Sequence, residues 1–143
     1  MNYSTLLTHL YFMLIHADGK VNEREIALGQ LLVRHEGLDA EEFNVQMILL
    51  KSKDQSKLYH DSVLSLKKLD REKQINCVAW LCVVANADGF MDRTEWQFIY
   101  KLYHTELHLP LDEVMNKQKE LNRIQRPAIF SAFHDHATFA SSL

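Results

Sequence analysis

Ala17-Asp18-Gly19 followed by Glu25 recurs seventy residues later as Ala87-Asp88-Gly89 followed by Glu95. In each copy an apolar helical stretch runs up to the Asp-Gly and another begins before the Glu, so each signature straddles a helix-turn-helix corner. Two such corners in matched contexts point to an internal repeat. Only four glycines and two prolines occur in 143 residues, strand-like alternation is missing, and apolar residues recur at intervals of three and four. The expected fold is all-α.

The first helix is expected from Ser4 to Ala17, with Leu7, Leu10, Leu14 and Ala17 on one face. A second starts near Asn22, carries Ile26, Leu28, Leu31 and Leu32, and stops at Gly37. A third begins at Asp39 or Ala40 with Phe43, Met47 and Leu50, followed by a polar loop from Lys51 to Ser56. A fourth covers about Lys57 to Lys68, and Asp70 caps a long helix from Arg71 to Ala87, the counterpart of the first. Asp92 caps a helix bearing Trp96, Ile99, Tyr100 and Tyr103; Pro110 opens the next, and Pro127 opens a C-terminal one with Phe130 and Phe133. Short connections predict one compact single-domain bundle of about seven to eight helices over residues 1–143, in two pseudo-symmetric repeats of about 5–50 and 75–120.

Charge and cysteine usage narrow the function classes. Sixteen Lys+Arg against nineteen Asp+Glu, with the short lysine clusters broken by Asp54 and Asp70, provide no basic stripe and argue against a nucleic-acid partner. The N-terminus has no basic region, and its apolar run is interrupted by His9 and ended by Asp18, unlike a signal peptide. The longest apolar run, Cys77 to Ala85, is about half of what a bilayer span requires. Cys77 and Cys82 lie five apart on one expected helix and read as reduced core thiols of a cytoplasmic protein.

At each corner the glycine can end one helix in the left-handed conformation, while Asn22 or Asp92 caps the next and Glu25 or Glu95 closes a capping box. That structural duty covers Gly and Glu but leaves Asp18 and Asp88. Asp18 stands four after Leu14 and Asp88 four after Val84, so both are expected to extend buried stripes and point inward. Glu25, three before Leu28, and Glu95, three before Phe98, lean toward the core as well. Buried carboxylates must be protonated, paired with a basic group or neutralised by a cation. A divalent cation, with Ca, Mg or Mn favoured over Zn, satisfies four acids at once. Each octapeptide also matches the later half of an EF-hand loop, but Leu14 and His16, or Val84 and Asn86, stand where its first ligands belong. Two half-sites sharing one ion, or each holding one weakly with waters, fit this pattern. The candidate ligands are Asp18, Glu25, Asp88 and Glu95, with Asn22 and Asp92 secondary.

The duplicated pattern, His16-Ala17-Asp18-Gly19 to Glu25 and Asn86-Ala87-Asp88-Gly89 to Glu95, resembles the TerB-like family of bacterial tellurite-resistance proteins. Gly37-Leu38-Asp39-Ala40-Glu41-Glu42-Phe43 and His108-Leu109-Pro110-Leu111-Asp112-Glu113-Val114 are similar to that family's helix starts, and the resemblance spans about residues 5 to 120. It implies a helical bundle with two related halves and a metal-binding role for Asp18, Glu25, Asp88 and Glu95. It further implies a cytoplasmic stress-response role or a membrane-associated complex, with no established enzyme activity; the expected partner is another protein. His16 differs from Asn86 and Asn22 from Asp92, so the half-sites need not bind equally.

Other constellations are weaker. His104 and His108 are four apart, but His108 adjoins Leu109-Pro110 and the zinc-protease Glu placement is absent; a hydrolytic metalloenzyme using them ranks last. His134 and His136, two apart, fall on different helix faces. Most of Trp96, Tyr100, Tyr103, Phe130, Phe133 and Phe139 are assigned to core packing. The expected function is a non-enzymatic cation-binding interaction module. The alternative is a metal-free helical adaptor or co-chaperone-like protein-binding domain, although the chain has no His-Pro-Asp motif.

Overall fold

The computed structural model describes residues 1–87, 89 and 91–123; Asp88, Phe90 and residues 124–143, with the expected Pro127 helix, Phe130, Phe133, Phe139, His134 and His136, lie outside the described residues. Six α-helices are α1 (Tyr3–Ile15), α2 (Glu23–Glu36), α3 (Ala40–Leu49), α4 (Gln55–Lys68), α5 (Arg71–Ala85) and α6 (Arg93–Tyr100). α6 continues as a π-helical turn, Lys101–Glu106, and residues 111–123 form α7. The described residues contain no strand, and the all-α expectation holds.

α1 and α5 are the two central helices. From Leu10 to Ile15 every residue of α1 is buried, and from Cys77 to Ala85 every residue of α5 is buried. Helices apolar all round must be enclosed on all sides, and α1 accordingly packs against α3, α4, α5 and α6, while α2 packs on α5. The single buried face expected for α1 is therefore too narrow: Tyr11, Phe12, Met13 and Ile15 are as enclosed as Leu10 and Leu14. Both cysteines are buried and free, and burial pushes each thiol up to about 12, so neither is a thiolate nucleophile at neutral pH. No described helix is long and apolar enough to cross a membrane.

Side-chain caps set most boundaries. Asn2, Asn22, Asp39, Asp54, Asp70 and Asp92 each accept main-chain N–H groups in the first turn of the following helix, satisfying donors that have no intrahelical partner. Asp54 thereby starts α4 at Gln55, and Leu50–Ser52 forms a 3-10 turn, so the expected Lys51–Ser56 loop is mostly helical. Gly37, at φ 68°, ends α2, with its own N–H and that of Leu38 bonded back to Arg34 and Val33. Ile26, expected in the core, is 44 % exposed because α2 turns Leu28, Gly29, Leu32 and Val33 inward instead.

Candidate metal centre at the paired corners

The two corners are built alike. α1 and α5 both end in a turn in which Gly19 N–H donates to the His16 carbonyl at 3.1 Å and Gly89 N–H to the Asn86 carbonyl at 2.8 Å. Both glycines sit at φ 77°, which favours a residue without Cβ. The next helix is then capped by the same geometry twice: Asn22 Oδ1 accepts from Arg24 and Glu25 N–H at 2.7 and 3.3 Å, and Asp92 Oδ2 accepts from Thr94 and Glu95 N–H at 2.8 and 3.3 Å. Capping fixes the first turns of α2 and α6, and with them the direction of Glu25 and Glu95.

Burial reverses one expectation. Glu25 and Glu95 are each 5 % exposed, as their place ahead of Leu28 and Phe98 predicts. Asp18 is exposed, and its inward placement is corrected. α1 stops at Ile15, so the helical phase that relates residue 18 to Leu14 no longer applies; instead Asp18 Oδ1 accepts from Lys20 N–H at 2.9 Å across the turn. Asp88, its counterpart, lies outside the described residues.

Both corners open onto one cleft of about 270 Å³, lined by Asp18, Lys20, Val21, Asn22, Glu25, Ala85, Asp92 and Glu95. Five of the six candidate ligands from the two sequence copies thus share one space. One carboxylate oxygen each from Asp18, Asp92 and Glu95 lies within 4.8 Å of the others. Glu95 Oε2 is buried with no hydrogen-bond partner. Burial raises the Glu95 carboxyl above its ordinary value of 4.5; a hydrogen bond with Glu25 opposes this, and the charges of Asp18 and Asp92 raise it further. The donor set is oxygen throughout, which suits hard cations such as Ca²⁺, Mg²⁺ or Mn²⁺ and not a thiolate- or imidazole-seeking metal. The missing first half of an EF-hand loop has a structural counterpart: Leu14 and Val84 are fully buried core residues, and His16 Nδ1 lies 2.9 Å from the Phe12 carbonyl.

A family model described as Tellurite resistance protein TerB matches residues 5–133 of the chain. The chain belongs to the TerB family. Comparison with curated proteins and with solved structures found no match. The TerB match runs past the point near residue 120 at which the motif resemblance stops, and it includes both corners.

The remaining sequence candidates separate from this cleft. His104 lies on the π-helical turn and stacks on Tyr100 at 4.7 Å, while His108 falls beyond the helix at φ 53°. The regular four-residue helical spacing assumed for a zinc pair is therefore absent. Of the aromatic set expected mostly in the core, Trp96 and Tyr100 are 37 % and 41 % exposed and Tyr103 is buried. Sequence reasoning missed Tyr11, whose hydroxyl donates to the Glu25 carbonyl at 2.9 Å. Its signal was a hydroxyl within the apolar second half of α1, from Leu10 to Ile15.

Proposed function

We propose that this TerB-family protein is a non-enzymatic cation-binding module in which one hard divalent ion bridges the two corners. Glu95 carries this reading: a carboxylate oxygen that is buried and unpartnered, grouped with Asp18 and Asp92 and beside Glu25. An unpaired buried charge is costly, and a cation in the cleft neutralises it. Asp18 and Asp92 supply ligand oxygens from opposite corners, Glu95 the inner one, and Glu25 either a further oxygen or the hydrogen bond that orients Glu95. Asp88 joins the set by its matching place in the second sequence copy. Three carboxylates leave room in the coordination shell for water or for an acidic group from a partner.

Such an ion ties the start of α2 to the start of α6 through side chains and stiffens that end of the bundle. The family is described as a tellurite resistance protein, and in our reading the module acts in a cytoplasmic stress response by binding another protein. The metal-free adaptor reading is supported by the capping duties of Asn22 and Asp92, which need no ion. Calorimetry and thermal shift on chelator-treated protein with Ca²⁺, Mg²⁺, Mn²⁺ and Zn²⁺ separate the two. Binding of a hard cation, lost in Asp18→Ala and Glu95→Gln, is the expected result. No heat and no shift with any ion would leave the adaptor reading standing.

A further inference from the structure

α3 buries one face and leaves the other bare. Phe43, and Leu50 just past the helix end, are 4 % and 2 % exposed, with Gln46 and Met47 half-buried between them, and α3 packs on α1 and α2. On the opposite side Val45, Ile48 and Leu49 are 44, 67 and 49 % exposed. Single exposed apolar residues are ordinary, but three at i, i+3 and i+4 on one helix form a contiguous stripe.

The ends of that stripe carry opposite charges. Glu41 and Glu42 lie in the first turn of α3, and Lys51 and Lys53 follow its last turn, all exposed. Glu41, Lys51 and Lys53 make no ion pair among the described residues, while Glu42 accepts a hydrogen bond from Gln46 at 3.1 Å. The acids precede the centre of the stripe, near residue 47, by about as many residues as the lysines follow it. A helix acidic at one end, apolar in the middle and basic at the other is complementary to its own antiparallel copy.

We propose that the outer face of α3 is a docking surface for a second copy of this chain, formed by antiparallel packing of α3 on the partner's α3 across a twofold axis. Val45, Ile48 and Leu49 meet their own counterparts near the axis. Glu41 and Glu42 face Lys51 and Lys53 of the partner subunit at both ends. An anionic membrane fits this face less well, because acidic Glu41 and Glu42 stand at the end of the stripe opposite the lysines. Three apolar side chains with a charged rim make less surface than the roughly 800 Å² per partner of a stable interface. The dimer is therefore weak and forms at high protein concentration.

Sedimentation equilibrium in chelator, independent of any cation, tests this. The weight-average mass is expected to rise from 16.7 kDa toward twice that value with concentration, and to rise less at high salt. Ile48→Asp is expected to weaken association at least about tenfold with only the small loss of stability that an acid in the last turn of a helix brings, since Ile48 is 67 % exposed. Self-association should also fall in a Glu41→Lys/Glu42→Lys variant and in a Lys51→Glu/Lys53→Glu variant, while their mixture forms a heterodimer. A mass that stays at 16.7 kDa up to about 1 mM, or an Ile48→Asp variant that associates like the parent, would overturn the proposal.

Discussion

The hydroxyl of Tyr11, in the second half of α1, donates to the main-chain carbonyl of Glu25 in the first turn of α2 at 2.9 Å. This contact joins the helix before the first corner to the helix after it, and holds the backbone that carries a buried acid of the cleft. Gly29 makes room for it, because any Cβ there would run into the Tyr11 ring and hydroxyl.

Gly29→Ala is therefore expected to reverse the usual helix preference. In an open helix the change stabilises by about 1 kcal/mol; here it displaces Tyr11 and should destabilise by about 1–3 kcal/mol, as overpacking does. Thermal unfolding measures the loss, and cation titration should show weaker binding as the Glu25 segment shifts. A stabilised variant would mean that the ring moves aside freely.

Glu95→Gln removes the buried charge while keeping shape. Relief of the unpartnered oxygen is worth about 1–3 kcal/mol, so the ion-free variant should melt higher than the parent while losing the cation-induced shift. The pH dependence has a definite sign. Because the folded-state carboxyl sits above its ordinary 4.5, folded protein holds the proton longer than unfolded protein does. Ion-free stability then falls as pH rises from about 4.5 through the raised value. Glu95→Gln should flatten that slope, and so should a bound cation in the parent. Melting curves between pH 4 and 8, about the span covered by a raised carboxyl, with and without ion, check both.

Asp92 has two duties that one pair of variants separates. Asp92→Asn keeps a good cap and removes the carboxylate, so ion-free stability should stay nearly level while cation affinity falls. Asp92→Ala removes the cap too and should cost about 1 kcal/mol more. Equal destabilisation by both variants in chelator would argue against Asp92 as a cap.

His9 supplies an acid-sensitive element away from the cleft. Both ring nitrogens are buried; burial lowers its value below the ordinary 6.5, Gln46 opposes that, and Lys53 and the N-terminal amine lower it further. The unfolded chain thus takes up a proton before the folded one, and stability is lost as pH falls through 6.5 toward the lowered value. The imidazole resonances should titrate below 6.5 in the native protein, and His9→Phe should lessen the loss of stability on acidification. A ring that titrates at its ordinary value would remove His9 from the acid response.

Much of this molecule is local and hence legible in the chain. Asn22, Asp70 and Asp92 cap the helices they precede, Gly37 ends α2, and both glutamates turn inward, because caps and helical phase act over a few residues. Asp18 shows where local rules stop. The phase that placed Asp18 inward is valid only while the helix continues, and α1 ends three residues earlier, at Ile15. Ile26 failed for a related reason, since more than one face of α2 is apolar in sequence and packing on α5 and α3 chooses between them.

The sequence alone determined the all-helical class, the two corners and the acids they carry. Only the tertiary structure decided that acids from both corners share one cleft, that Glu95 Oε2 is buried there without a hydrogen-bond partner, and that α3 presents Val45, Ile48 and Leu49 outward. Spacing along one helix sets the direction of a side chain, whereas meeting residues seventy positions away depends on how α1, α2, α5 and α6 pack.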